Sequence, residues 1–275
     1  MSFSIRTNVG SLNAQKNLFN SSSMLQDSFS KLSSGFRITK AGDDAAGLGI
    51  SVNLGAQIRS FNQGNRNAQD AQSLIQTAES NLNQTTELLT RMRELAMQSA
   101  SSGVGNTERG YIQTENTALI TEIDRIANAA EYNGQALLNS GATSLTFQVG
   151  IRNVAANDRI SVSTVDATSA TLSVSALDLS TQAASQSALA TIDTALQTVS
   201  SARATFGAAG NRLTSVIQSI QSSSESLSAA NSRIRDVDVA EETSKMARTQ
   251  VMMQAGVSVL AQANQAPQIA LKLLG

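Results

Sequence analysis

The chain has no cysteine, no histidine and no tryptophan, and a single proline, Pro267. Without Cys, disulfides and thiol chemistry are excluded and the redox compartment stays open. Without His, the commonest general base, the Ser–His pair and most zinc sites are gone. Aromatic residues make up only 3%, so any core is thin and built from Leu, Ile, Val and Ala. Charged residues reach 15%, below the roughly 25% of ordinary soluble domains, and Ser, Thr, Asn and Gln take their place. A neutral polar surface repels its own copies weakly, which suits dense self-packing. The net charge of −1 gives no electrostatic case for nucleic acid or an acidic membrane. No run approaches the roughly 18 apolar residues of a membrane span. Residues 1–18 place Ser, Arg, Asn and Gln where a signal peptide would be apolar. Composition alone therefore predicts a cytosolic protein.

What the chain does have is periodicity. Leu54, Phe61, Ala68, Ile75, Leu82, Leu89 and Ala96 fall seven residues apart, as do Leu213, Ile220, Leu227 and Ile234. Met246, Met253, Leu260 and Leu274 keep the same period. A 3.5-residue repeat held this long keeps an apolar seam facing a partner helix. Near the start, Leu18, Leu25, Phe29, Leu32 and Phe36 share one helical face. The fold class expected is mostly α: an elongated rod of long antiparallel helices forming coiled coils. A small β-hairpin region lies between the N- and C-terminal arms.

Punctuation sets the boundaries. A first helix over about 5–36 meets Gly35, Gly42, Gly47 and Gly49, which mark a joint because glycine costs about 1 kcal/mol per helical residue. Helix resumes near Ala45, runs to about Ala100 and stops at 101–105. Asn106 is expected to cap a third helix that buries Ile112, Leu119 or Ile120, Ile123 and Ile126 and closes at Asn133-Gly134. Leu145, Phe147 and Val149 then alternate, as do Ile160 and Val162, which predicts a hairpin around 143–177 with a further strand near 172–177. Helix returns at Ser187, with Leu189, Ile192, Leu196 and Val199 inward, and runs to about Arg235. Asp238 stands three residues before Glu241, a capping-box spacing that starts a final helix. Pro267 would kink that helix or begin a separate short one. Two joints, one per arm, should align if the arms pair antiparallel. The domains expected are 1–44 with 236–275, and 45–235.

Candidate chemistry is sparse. There is no GxGxxG, Walker or GxSxG motif. Asp43-Asp44 fits a helix cap better than a cation site, and Asp236 and Asp238 fail EF-hand spacing. Arg91, Arg93 and Glu94 form a charged patch, with Glu87 and Arg91 placed for an i,i+4 pair. Met246, Met252 and Met253 fit core filling or a groove lining. No catalytic, cofactor or metal residue is assigned, and no enzyme is expected.

Ordered blocks carry a resemblance. They are Ser33-Ser34-Gly35-Phe36-Arg37-Ile38, Asp43-Asp44-Ala45-Ala46-Gly47-Leu48, Arg66-Asn67-Ala68-Gln69-Asp70 and Arg91-Met92-Arg93-Glu94-Leu95-Ala96-Met97-Gln98. Later come Ser232-Arg233-Ile234, Asp236-Val237-Asp238 and the run from Gln254 to Gln265. Over roughly 1–140 and 185–275 the chain resembles the bacterial flagellins. The resemblance implies a subunit that self-assembles into the flagellar filament for motility. Helices matching 1–44 and 236–275 would form an inner tube, 45–235 a surrounding layer, and the large outer domains of longer members would be absent. It replaces the cytosolic expectation with export, unfolded, through the flagellar type III apparatus to the extracellular filament. The partners implied are further copies, the export apparatus and chaperone, and hook-associated junction and cap proteins. Leu18, Leu25, Leu32, Met253, Leu260 and Leu274 are the expected assembly contacts. A Toll-like receptor contact is implied by Arg91, Leu95, Gln98 and Glu115, although Leu119 replaces a usual polar residue. Neither nucleic acid nor membrane is expected as a partner. The rival readings are a hook–filament junction protein and a soluble coiled-coil module.

Overall fold

The computed structural model describes residues 7–139, 141 and 143–274, with side chains as far as Gln265. Most of the chain is helix, in α1 (Val9–Ser34), α2 (Ala45–Ser99), α3 (Asn106–Ala129), the single turn α4 (Ala155–Asp158), α5 (Gln182–Arg235) and α6 (Val239–Leu274). Two small antiparallel sheets pair β1 (Glu131–Tyr132) with β2 (Gln135–Ala136), and β3 (Ser144–Gln148) with β4 (Arg159–Ser163). The chain divides into two compact units, Met1–Gln57 with Ser226–Gly275, and Ile58–Glu225.

In the first unit α1 and α6 pair antiparallel. Asn8 Nδ2 donates to the Ala263 carbonyl at 2.7 Å at one end, and Phe36 bridges to Asp236 at the other. The inward positions of α1 are Ser11, Ala14, Leu18, Ser21, Leu25, Ser28 and Leu32, and those of α6 are Glu242, Met246, Thr249, Met253, Gly256, Leu260 and Ala263. Both sets alternate steps of three and four, the register of a coiled-coil seam. Large residues alternate with small ones, so a knob from one helix finds room on the other. At Gly256 an added Cβ would lie 3.2 Å from Leu18 Cδ1. Phe29, expected on this face, is instead 67% exposed, because Ser28 takes the inward position one residue earlier. α6 runs through Pro267 to Leu274 as one helix, so no separate helix begins there.

The two joints do align. Gly35 ends α1 in the left-handed conformation, φ +74°, and returns its N–H to the Lys31 carbonyl. The chain then pairs with the far arm: the Arg37 N–H donates to Arg235 O at 2.6 Å, and the Val237 N–H to Gly35 O at 3.0 Å. The Arg235 guanidinium stacks 4.1 Å over the Phe36 ring. Asp238 caps α6 as expected, accepting from the N–H groups of Ala240 and Glu241 at 2.9 and 3.1 Å. Gly47 and Gly49 fall inside α2 rather than in the joint.

In the second unit α2 presents Ala68, Ala71, Ile75, Ala78, Leu82, Leu89, Met92 and Ala96 to a core shared with α3, α5 and the hairpins. α5 contributes Ala188, Ile192, Ala195, Val199, Ala202, Phe206, Leu213 and Ile220. The expected inward Leu189 and Leu196 are only half-buried. Ala188 and Ala195, one residue earlier on the helix, are fully buried beside them.

Several local expectations fail here. Asn106 does not cap α3: Gly105 is the N-cap, and Asn106 Oδ1 accepts from buried Arg109 instead. Arg109 also donates to the Ser99 and Ser101 carbonyls, so its cation sits on the C-terminal end of α2, where the helix dipole favours it. Asn133 and Gly134 have φ of +51° and +76°, the two positive values of a type I′ turn, so they join β1 to β2 rather than merely ending a helix. No strand forms over 172–177, where Ser173 has φ +60°. That loop is instead held by side chains. Asp124 accepts from the Ser169 N–H and hydroxyl, both at 2.8 Å, and Gln113 Oε1 accepts from the Leu179 N–H at 2.7 Å. The predicted β3–β4 hairpin is present, with Leu145 opposite Val162 and Phe147 opposite Ile160.

The hairpin lies directly against α2. A Cβ at Gly64 would collide with the Val149 carbonyl oxygen, and beside it Asn67 Nδ2 donates to Gln148 O at 2.8 Å. Gly64→Ala should therefore push the hairpin off the helix and destabilise the unit by about 1–3 kcal/mol. Urea unfolding measures this; an unchanged midpoint would mean the contact is not close-packed.

Candidate assembly surface and charged helix face

Of the expected assembly residues, Leu18, Leu25, Leu32, Met253 and Leu260 all sit half-buried in the α1–α6 seam. They hold the two arms of one chain together, and what they offer outward is only their uncovered edges. The Leu274 side chain lies outside the described residues.

The seam leaves a second apolar set uncovered. Leu12, Phe19, Met24 and Phe29 on α1, and Val251, Met252, Val257 and Val259 on α6, are exposed, Phe19 by 76%. Leu12 and Phe19 stand one residue after seam positions Ser11 and Leu18, and Phe29 after Ser28, so at those turns the apolar arc of α1 is wider than one partner helix covers. A strict seven-residue search misses this set. A search for apolar residues standing next to seam positions, whatever the seam residue, would have found most of it.

The two flanks of the helix pair differ in chemistry. One groove is lined by Leu25, Gln26, Phe29, Ser30, Met246 and Gln250 and is apolar. The other, lined among others by Asp27, Lys31, Glu242, Lys245 and Arg248, is charged. Lys245 bridges to Glu241 at 2.8 Å and Glu242 at 3.8 Å, and Lys40 to Asp27 at 3.0 Å. The helix pair thus has two chemically distinct sides.

The joint turn is organised by carboxylates. Asp43 Oδ2 accepts from the Thr39 N–H at 3.0 Å, the Thr39 hydroxyl at 2.9 Å and the Lys40 N–H at 3.1 Å, which holds its pKa below the usual carboxylate value. Asp44 caps α2 through the Gly47 N–H at 2.8 Å. Both acids of the pair are thus engaged as turn and cap acceptors. Among the described residues no group of three or more metal-ligating side chains forms, and no helix is long and apolar enough to cross a membrane.

On α2 the charged patch is real but wired differently from expectation. Arg91 pairs with Glu94 at 3.0 Å and with Glu115 of α3 at 2.8 Å, while Glu87 accepts from Asn83 rather than pairing with Arg91. The hydrogen bond from Arg91 to Glu115 raises the guanidinium pKa. Arg93 reaches across to Asp193 of α5 at 2.6 Å. All these pairs are exposed and worth little individually. Gln98 is exposed on the same helix, but Leu95 is 1% exposed and belongs to the core, because it follows Met92 by three residues on the inward stripe. Of the four expected receptor contacts, Arg91, Gln98 and Glu115 are at the surface and Leu95 is not.

Two terminal arms that pair antiparallel, with an apolar arc left uncovered beside their seam, define a helical protein of the structural class, with no metal-ligating cluster among the described residues. Known proteins agree. The bacterial flagellin N-terminal helical region matches residues 5–143, and the C-terminal helical region matches 189–274. The chain is 41% identical to a flagellin of Halalkalibacterium halodurans and 40% to the flagellin of Bacillus subtilis, in each case over 98% of this chain and 99% of the relative. It is likewise 40% identical to the flagellar filament 33 kDa core protein of Treponema phagedenis, with the same coverage. The crystal structure of Bacillus cereus flagellin superposes with a TM-score of 0.51 at 31% identity, over 56% of this chain and 88% of that one. The chain belongs to the bacterial flagellin family, and is a structural subunit of the flagellar filament.

Proposed function

We propose that the filament is built through the α1–α6 pair, with 1–44 and 236–275 forming its inner tube and 45–235 the layer around it. The observation that carries this reading is the uncovered apolar arc on a pair whose own seam is already closed. Leu18, Leu25, Leu32, Met253 and Leu260 act in assembly by zipping the arms into one surface, and Leu12, Phe19 and Phe29 with Val251 and Val257 meet the neighbouring copy. The apolar flank of one subunit accepts the arc of the next. Burying each Leu or Phe contributes about 1.5–3 kcal/mol, and repetition along the filament offsets the cost of ordering the chain.

The same reading includes export through the flagellar type III route with a chaperone, contact with hook-associated junction and cap proteins, and a Toll-like receptor contact through Arg91, Gln98 and Glu115. A flagellar hook-associated protein from Vibrio parahaemolyticus shares the fold with a TM-score of 0.60, but at 15% identity it gives no reason to prefer the junction role.

Leu260→Asp tests the zipping step. The carboxylate enters the seam between α1 and α6, so polymerisation should be lost while the helicity of the Ile58–Glu225 unit persists in circular dichroism. Ordinary filaments from this variant would remove the seam from the assembly account.

A further inference from the structure

The methionines are distributed unevenly. Met92 is fully buried, and Met246 and Met253 are half-buried in the α1–α6 seam. Met24, Met97 and Met252 are 58%, 55% and 43% exposed. Met24 lines the charged groove together with Ser28, Lys31, Arg248 and Thr249. Met252 follows Arg248 by four residues and Thr249 by three, so it lies one turn further along the same side of α6. α1 and α6 therefore place two open thioethers on one flank of the helix pair, while Met97 belongs to the other unit.

We propose that Met24 and Met252 are a peroxide-sensitive modification site that governs whether the subunit can polymerise. This rests on the assignment of the α1–α6 surface to filament contacts, extended here to the charged flank that carries Met24 and Met252. The thioether sulfur attacks one oxygen of hydrogen peroxide; the S–O bond forms, the O–O bond breaks, and the departing hydroxide becomes water on taking up the proton from the transferred oxygen. Sulfur loses two electrons and peroxide gains them, giving methionine sulfoxide and one water. The product is a strong acceptor where an adaptable apolar group had been. In the free subunit the new oxygen is solvated and harmless. Against a neighbouring copy it must be stripped of water; of the cations lining that groove, Lys245 is already paired with Glu241 and Glu242, and Lys31 and Arg248 could receive it only at the loss of their own hydration. The block is reversible, because methionine sulfoxide reductases return the thioether.

The test is oxidation of the full-length subunit with hydrogen peroxide, peptide mass spectrometry at each methionine, and sedimentation to measure critical concentration. Met24, Met97 and Met252 should gain oxygen before Met246 and Met253, with Met92 last, and the critical concentration should rise about 10-fold or more. The double variant Met24→Leu, Met252→Leu should polymerise equally well before and after peroxide although Met97 is still oxidised. Reductase treatment of oxidised wild type should restore assembly. Unchanged polymerisation of subunits carrying both sulfoxides would overturn the proposal, as would loss of assembly in the peroxide-treated double variant. Preformed filaments separate the two layers of the argument. Protection of Met24 and Met252 in filaments, with sulfoxide subunits assembling normally, sinks only the peroxide site. Equal oxidation in filament and monomer sinks the assignment of this surface, and the peroxide site with it.

Discussion

Phe19→Asp should give a subunit that keeps its helical content yet fails to form filaments at concentrations where wild type polymerises. Phe19 is the most exposed of the large apolar residues on α1, at 76%, and it lies outside the seam that joins α1 to α6. Its loss therefore removes nothing from the isolated fold. On the proposed assembly a neighbour covers the aromatic ring, and that burial alone is worth about 1.5–3 kcal/mol. A carboxylate in the same place must also be desolvated or left unpaired, which raises the cost further. The critical concentration should increase by about 100-fold or more, since each 1.4 kcal/mol is tenfold. Sedimentation across a concentration series measures it, with circular dichroism as the control for folding. A variant that polymerises normally would show that the uncovered arc faces solvent in the filament too.

Phe206→Ala is expected to be the most damaging single truncation in the Ile58–Glu225 unit, at about 3–5 kcal/mol. Phe206 is 1% exposed and is the largest fully buried side chain described. The inward α5 position four residues before it is Ala202, and much of the facing α2 stripe is also alanine. Alanines have no longer side chain to swing into a void, which favours a cavity that stays largely open. Against a total stability of about 5–15 kcal/mol for a typical domain, the loss is a large fraction. Urea denaturation should show a lower midpoint with an unchanged slope. A shift of under about 1 kcal/mol would mean the core collapses around the gap, contrary to the close packing described for α2 and α5.

The long-range plan of the molecule was readable because it is periodic. The α2 stripe from Ala68 to Ala96, the Gly35 stop, the Asp238 cap and the β3–β4 alternation each rest on a local rule that tertiary structure does not overturn. What was not readable depended on which of two adjacent residues turns inward. Phe29 gave way to Ser28, and Leu189 and Leu196 pack on the core only in part because Ala188 and Ala195 take the fully buried positions beside them. The same competition hid the surface. The leucines expected as assembly contacts lie in the seam between α1 and α6, and the exposed Leu12, Phe19 and Phe29 stand beside it. Leu95, expected as a receptor contact, lies on the inward stripe of α2. The 163–181 loop was opaque for another cause: besides its own local turns it is anchored by Asp124 and Gln113, more than forty residues away in sequence, and nothing in the loop itself announces those acceptors.

The most direct test of the central claim uses the absence of cysteine from the chain. Val257→Cys places a single thiol of similar size on the uncovered arc of α6, at a position 57% exposed. The rate of its reaction with a maleimide is then compared between monomers and assembled filaments. If neighbouring subunits meet through this arc, the thiol reacts freely in the monomer and is strongly protected in the filament. Equal rates in the two states would contradict the account.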